Sequence, residues 1–535
     1  MAIVDLKHAL SILSKSSPYA VSTEKSSKRH DILARYKDYI YIETPIETDF
    51  SKKLPSLQPN DIIFLCGSSG DGKSEILTRY NLEWKSKYDF HLDATHSFSP
   101  NQTAIQALDA RFSANKISTR PLIVGINIGM LGNYAEEGSK EHGDIKNAIQ
   151  SFLKKDGNIH SSKYIFMDFE QYPKFFLSQE GNGSDFVKSF IYKITQRNLN
   201  NPFFAVYENE LKSKGHSIIT ANFFILGLKS VQDKVVDLLL KTRLIKDQFL
   251  TARALLDFIY QVLNSNSYLF DSLFSGGDNE LLENIKAFDP ANLHSRKIDE
   301  FIINFNLNIH SDEFIDFTEK MHQFGIYGIN KAETYLRLLY LIGNERSLES
   351  SFVKSFKSEF ENDMVEQYSN IWLIHEEFEN SGQIKKEINR IYKELIITAI
   401  HRYGNRNSPN LERDVFFINE RNGFKVAVEL DVRPDFQGIA EKKNGKIGYF
   451  NAVISVDGII LKPIPVSVNL LSLMVKINQG YRPNKHDKNV ILLLDEIVEQ
   501  IVQVANKKKT LFIIKGKKKF KISDEGNDYF EVSGV

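Results

Sequence analysis

A single cysteine, Cys66, stands in 535 residues. The chain therefore has no partner for an intramolecular disulfide, and a thiolate zinc site would lack its usual ligands. Net charge is missing too: Lys and Arg total 68, as do Asp and Glu. No overall field steers the chain to nucleic acid or an anionic membrane, so any such binding falls to local patches. The longest apolar runs, such as residues 122–131, fall well short of the roughly 20 residues that span a bilayer. The N-terminus carries early charges and no sustained apolar stretch, unlike a signal peptide or an anchor. Among 13 histidines there is no His-x-x-x-His pair beside acids, and no cluster of paired acids with lysine suggests a nuclease. The expectation is a soluble, cytoplasmic protein with no membrane contact.

What is present is 42% hydrophobic and 25% charged residues, a globular balance in a chain long enough for about three cores. Residues 1–60 read as a lead-in, with one short helical pattern, a polar stretch from Ser14 to Arg29 and an extended-looking run from Tyr39 to Pro45. Over 61–180, short apolar strands at 62–66, 90–92, 122–128 and 164–167 alternate with helical patterns, which predicts a parallel sheet wound by helices. The helix after Phe98 is expected to start with Ser99 as N-cap and Pro100 in its first turn, and to bury Ile105, Leu108 and Phe112. Residues 181–407 are helical in pattern without a fixed repeat. From 408 to 535 β-branched residues alternate with polar ones, Val456–Ile459 signals a hairpin, 488–505 reads as a helix and 511–530 as a lysine-rich strand pair.

The chemistry concentrates at Gly67, Ser68, Ser69, Gly70, Asp71, Gly72, Lys73 and Ser74, which match G-x-x-x-x-G-K-[ST] at every fixed position. Glycines let successive backbone N–H groups turn inward around phosphate oxygens. Lys73 sets a cation against the β- and γ-phosphates, Ser74 offers a hydroxyl to Mg²⁺, and the helix starting there adds the positive end of its dipole. The alternative is a glycine-rich turn with an exposed lysine. The strand before the motif and the helical pattern after it favour a nucleotide site. Cys66, on that apolar strand, reads as a packed core residue. The expected fold is therefore an α/β P-loop nucleoside-triphosphatase domain, then a mainly helical domain and a C-terminal α+β domain.

Hydrolysis also needs a carboxylate at a strand end to hold Mg²⁺ and a group to orient the attacking water. Asp93 follows the strand 90–92 and is one candidate for both metal and catalysis, with Asn127 as a polar group sensing the γ-phosphate. Asp168, with Glu170, closes 164–167 and is the other. Val490–Glu496 is the best string match to an apolar run ending in Asp-Glu. Its apolar positions continue at helical spacing through Ile497, Ile501 and Val504, so it reads as an amphipathic helix.

Eight lysines at 507, 508, 509, 515, 517, 518, 519 and 521 suit either a nucleic-acid backbone or a solvated strand edge. The 481–486 segment suits a basic contact loop or a capped connection. Arg111 and Arg120 read as surface ion pairs or as arginine fingers reaching a second copy, which leaves a homo-oligomer open. His30, His91 and His96 read as structural.

Residues 62–80, with 90–98 and 124–134 and the more distant 14–23 and 480–488, resemble the DptF family, the phosphorothioation-dependent DNA restriction proteins of bacteria. The resemblance runs the whole length. It implies a restriction component acting with DptG and DptH partners against DNA lacking sulfur in its backbone. It carries Gly67, Gly72, Lys73 and Ser74 over as ATP ligands, and it assigns no catalytic acid. With no nuclease cluster in the chain, cutting is expected on a partner. A nucleotide-dependent switch or scaffold that hydrolyses ATP negligibly is the alternative.

Overall fold

The computed structural model describes residues 5–18, 32–95, 101–154, 163–179, 182–361, 364–380, 382–412, 414–516, 518–526 and 529–534. The fold is mixed α/β, with a parallel sheet near the N-terminus and an antiparallel sheet near the C-terminus. It divides into two compact units. The first comprises Met1–Phe176, Gly183–Thr242 and Gln248–Glu361, and the second Leu177–Asn182, Arg243–Asp247 and Asn362–Val535.

The first unit is organised by four parallel strands: β1 (Ile62–Cys66), β2 (Asp89–His91), β3 (Leu122–Ile126) and β4 (Tyr164–Asp168). Their order is β2-β3-β1-β4. Every residue of β1 and β3 is buried, which explains their unbroken apolar text: a parallel strand covered on both faces has no polar side. Ile62, Phe64 and Cys66 point to one layer with Leu108, Phe112, Leu131 and Ile149. Ile63 and Leu65 point to the other with Ile76, Leu77, Ile46 and Phe50.

That two-sided packing follows from the connections. The chain moves from β1 outward to β2, then back through β3 and across to β4. Right-handed crossovers in opposite directions place their helices on opposite faces. Helix Lys73–Trp84 accordingly covers one face, and helices Ala104–Ile117, Ile128–Glu137 and Gly143–Lys154 the other.

Several expectations are corrected here. The run from Tyr39 to Pro45 is extended only in its middle: Tyr39 and Ile40 end the helix Ile32–Ile40, residues 41–44 lie outside any helix with Thr44 in extended backbone, and Pro45 opens the helix Pro45–Lys53. That second helix buries Ile46 and Phe50 against the sheet, so this part of the lead-in belongs to the α/β core. The helix expected after Phe98 begins at Ala104, where Thr103 and Gln106 form a capping box. Ser99 and Pro100 lie outside the described residues, as do His30, His96, Lys517 and most of the 14–29 stretch.

Composition drew a boundary at 407, whereas the packing divides near 361. The helices Met364–Glu376 and Gly382–Ile391 fall in the second unit, and hydrogen bonds give the reason. The Tyr368 hydroxyl donates to Ile447 O at 2.9 Å and Trp372 Nε1 to Lys446 O at 3.0 Å. In that unit, Val456 pairs with Ile459 across a turn in which Asp457 and Gly458 both have positive φ. Lys488–Ala505 is a helix burying Leu494, Ile497 and Ile501. Asp495, on this helix, accepts a hydrogen bond from Tyr403 at 2.7 Å, as befits a packing helix.

The expected closing strand pair is part of a five-stranded antiparallel sheet. Two of its lysines lie over aromatic rings, Lys515 over Phe424 and Lys519 over Phe512. The 481–487 segment is a capped connection: Asn484 closes a capping box with Asp487, which also accepts from the Tyr481 hydroxyl at 2.8 Å. Among the described residues no helix is long and apolar enough to cross a membrane.

Candidate functional site

Between β1 and β3 the chain leaves toward opposite faces, and open α/β sheets bind ligands in the crevice that such a reversal opens at the strand ends. The Gly67–Ser74 loop starts there, directly after β1. Gly70 and Gly72 take φ of 86° and 104°, a left-handed region that costs other residues strain. No side chain caps the helix that starts at Lys73. Its first N–H groups and positive dipole end thus suit an anion.

The loop is held internally. Asp71 Oδ2 accepts from the Ser68 N–H at 2.7 Å, and Asp71 Oδ1 pairs with Lys174 Nζ at 3.1 Å. Lys73 Nζ donates to Gly67 O at 2.9 Å and to Ser68 O at 2.6 Å. Burial lowers the Lys73 pKa, while the charges of Asp71 and Asp93 push it back up. The lysine Nζ is thus held inside the loop by two carbonyl oxygens.

A cavity of about 640 Å³ opens on this loop, and Ser69–Ile76, Asp93 and Asn127 line it. That volume lies within the usual range for small-molecule sites. Asp93 Oδ1 accepts from both the N–H and the hydroxyl of Thr95, at 2.9 and 2.6 Å. Asn127 caps the helix Ile128–Glu137 by accepting from Met130 N at 2.6 Å.

Asp168 sits differently. It ends β4 opposite Cys66 in the register and is buried, with Oδ1 accepting from the Glu170 N–H at 3.0 Å. It does not line the cavity, and Glu170 is exposed. Cys66 is fully buried, and burial pushes its thiol pKa up, so it is a core residue.

No family model, curated protein or solved structure matches the chain.

Three contributors to the cavity were missed in the sequence because they meet the loop only in the fold. Lys174, beyond β4, pins Asp71. Arg253 lines the cavity from the helix Ala252–Leu263, and its N–H donates to Gly70 O at 3.2 Å. The segment 41–47 supplies a further wall, where burial raises the Glu47 carboxyl pKa against the lowering effects of the Tyr41 hydroxyl and the Thr44 N–H. Thr251 before Arg253 is a legible helix cap, yet nothing in the string says which loop that helix meets.

The remaining candidates have structural roles. Arg120 pairs with Asp89 at 2.6 Å and donates to Lys85 O, an engagement at odds with a free arginine finger. His91 is buried and its pKa is pushed down to about 4, by burial first and by the nearby Arg111 charge second. Among the described residues no group of three or more His, Cys, Asp or Glu side chains is arranged to hold a metal ion. Mg²⁺ delivered on phosphates needs only one or two protein oxygens, and Ser74 and Asp93 on one cavity fit that requirement.

Proposed function

We propose that the chain is a P-loop protein that binds ATP with Mg²⁺ and hydrolyses it. The observation that carries this reading is convergence: the Ser69–Ser74 stretch, Asp93 and Asn127 open on one cavity at the reversal between β1 and β3. In this reading the loop N–H groups hold phosphate oxygens, and Lys73 exchanges its two carbonyl partners for the β- and γ-phosphates. Ser74 and Asp93 hold Mg²⁺, which when bound neutralises charge on the transferred phosphoryl group. Asn127 orients the attacking water, and Arg253 adds a cation from the helical part.

The resemblance to the DptF family supports placing this ATPase in the bacterial cytoplasm as part of a phosphorothioation-dependent restriction assembly. DptG-like and DptH-like partners would then carry the cutting of DNA, and this chain the nucleotide-driven step.

One observation favours the second reading, a switch with negligible hydrolysis. The two strands flanking β1 end at Asn127, an amide, and at Asp168, which does not line the cavity. The acid that does line the cavity, Asp93, follows β2, one strand farther out.

Turnover and nucleotide binding by wild type, Lys73→Ala, Asp93→Ala and Asp168→Ala decide between them, with DNA and partners added in turn. Loss of turnover at Lys73 and Asp93, with binding retained in the Asp93 variant, supports the ATPase. Lys73-dependent binding without turnover under any condition makes the switch the better description.

A further inference from the structure

The 67–74 loop, read as a polyphosphate site, carries a carboxylate of its own at Asp71, two residues before Lys73. A fixed anion opposes the arrival of another, by a Coulomb repulsion that grows as the surroundings lose water. The Asp71 side chain is 10% exposed and lines the cavity, so solvent does not screen it fully. It folds back over the start of the loop, where Oδ2 accepts from the Ser68 N–H at 2.7 Å. A Cβ at Gly67 would lie 3.0 Å from that oxygen, so a glycine there leaves room for the carboxylate.

Lys174 meets this charge, with Nζ 3.1 Å from Asp71 Oδ1. Exposed ion pairs contribute little, but this lysine is only 20% exposed and lines the same cavity. The chain fixes it from both sides. β4 ends at Asp168, beside Cys66 in the register, so the residues that follow run past the start of the loop. Phe169 packs there, its ring 3.0 Å from where a Gly67 Cβ would stand. The Tyr172 hydroxyl then donates to Asp49 at 2.9 Å, and Phe176 and Gly183 exchange backbone hydrogen bonds of 2.9 and 3.0 Å. Lys174 stands midway between these two anchors.

Both charges act on Lys73. Its pKa, lowered by burial, is raised by Asp71 first and by Asp93 second, and Lys174 lowers it further. Left alone, Asp71 would cancel the charge of Lys73. With Lys174 beside it, the three side chains together keep a net positive charge.

We propose that Lys174 is a positioning residue for polyphosphate binding: it neutralises Asp71 and holds that carboxylate against the Ser68 N–H, leaving the charge of Lys73 for the incoming anion. This role rests on the nucleotide reading above and adds to it a residue outside the motif. Lys174 acts through Asp71 and not by touching phosphate. Removing Lys174 alone leaves an uncompensated carboxylate in an anion site, whereas removing both charges leaves none.

The test is calorimetric titration of the full chain with tripolyphosphate and with Mg·ATP. The proteins are wild type, Lys73→Ala, Lys174→Met, Lys174→Arg, Asp71→Asn and the double variant Asp71→Asn/Lys174→Met. Lys174→Met should weaken both ligands by roughly 10- to 100-fold. Lys174→Arg keeps the charge and should hold both within about threefold of wild type. Asp71→Asn, whose amide oxygen can still accept from Ser68, should tighten tripolyphosphate by about threefold or more. The double variant should return to within about threefold of wild type, because the two changes of charge offset each other.

Wild-type affinity in Lys174→Met would overturn the proposal. So would a double variant as weak as Lys174→Met, which would place Lys174 on the phosphate itself or in the packing of the loop. If urea denaturation shows Lys174→Met to be unfolded, Asp71→Asn and the double variant decide alone: affinity at or above wild type upholds the role of Lys174, and weaker affinity overturns it. Absence of Lys73-dependent binding of either ligand in wild type defeats the nucleotide reading itself, whereas Lys73-dependent binding that ignores Lys174 leaves that reading intact.

Discussion

Gly70 and Gly72 allow one substitution to be compared in two surroundings. Both have φ in the left-handed region, at 86° and 104°, so changing either to alanine costs roughly 1–2 kcal/mol in backbone strain. A Cβ at Gly72 would meet nothing within 4 Å. A Cβ at Gly70 would lie 3.1 Å from Arg253 Cβ and 3.3 Å from Thr251 Oγ1. Arg253 Cβ is fixed to its backbone and cannot swing aside, so overpacking adds about 1–3 kcal/mol at Gly70. The totals are roughly 1–2 kcal/mol for Gly72→Ala and 2–5 for Gly70→Ala.

If the strain falls on the binding-competent loop, affinity for Mg·ATP drops by roughly 5- to 30-fold in Gly72→Ala and by 30-fold or more in Gly70→Ala. Titration gives the affinities, and urea denaturation reports any part of the cost that appears as global stability. Equal penalties at the two positions would refute the reasoning, because the difference comes entirely from the helix that carries Arg253.

Asp168→Asn should keep turnover near wild type and lose about 1 kcal/mol of stability, since its carboxylate accepts from the Glu170 N–H. Asp93→Asn should lower kcat by roughly 100-fold; the reverse ranking would move the metal site to β4. Arg253→Ala should lower turnover about tenfold or more with the melting temperature little changed, and unaltered turnover would assign Arg253 to packing. His375 is fully buried, and burial, helped by the Lys443 charge, pushes its pKa down to about 4. Between about pH 6.5 and 4 the unfolded chain binds the proton that the folded one refuses, so stability falls with pH, by about 2 kcal/mol at pH 5 relative to pH 8. Urea midpoints at the two pH values should draw closer in His375→Gln, with His91 supplying the remaining share through its own lowered pKa, and an identical pH dependence in variant and wild type would exclude His375 as a cause.

The strand–loop–helix turn at residues 67–74 was legible because its requirements are local: glycines for the turn, then a lysine and a serine entering a helix. The buried strands were legible for a similar reason, as β1 and β3 are continuous apolar runs. The helix Lys488–Ala505 could be told from an acid-terminated strand because its apolar residues keep helical spacing past Asp495. The hairpin at Asp457–Gly458 was likewise carried by two residues suited to positive φ.

The order β2-β3-β1-β4 was not legible, since strand neighbours are set by crossovers and not by sequence proximity. That order separates the acids, leaving Asp93 on the cavity and Asp168 in the core. The same holds for Lys174 and Arg253, and for the packing that gives the helices after residue 364 to the second unit, because each depends on surfaces far apart in the chain.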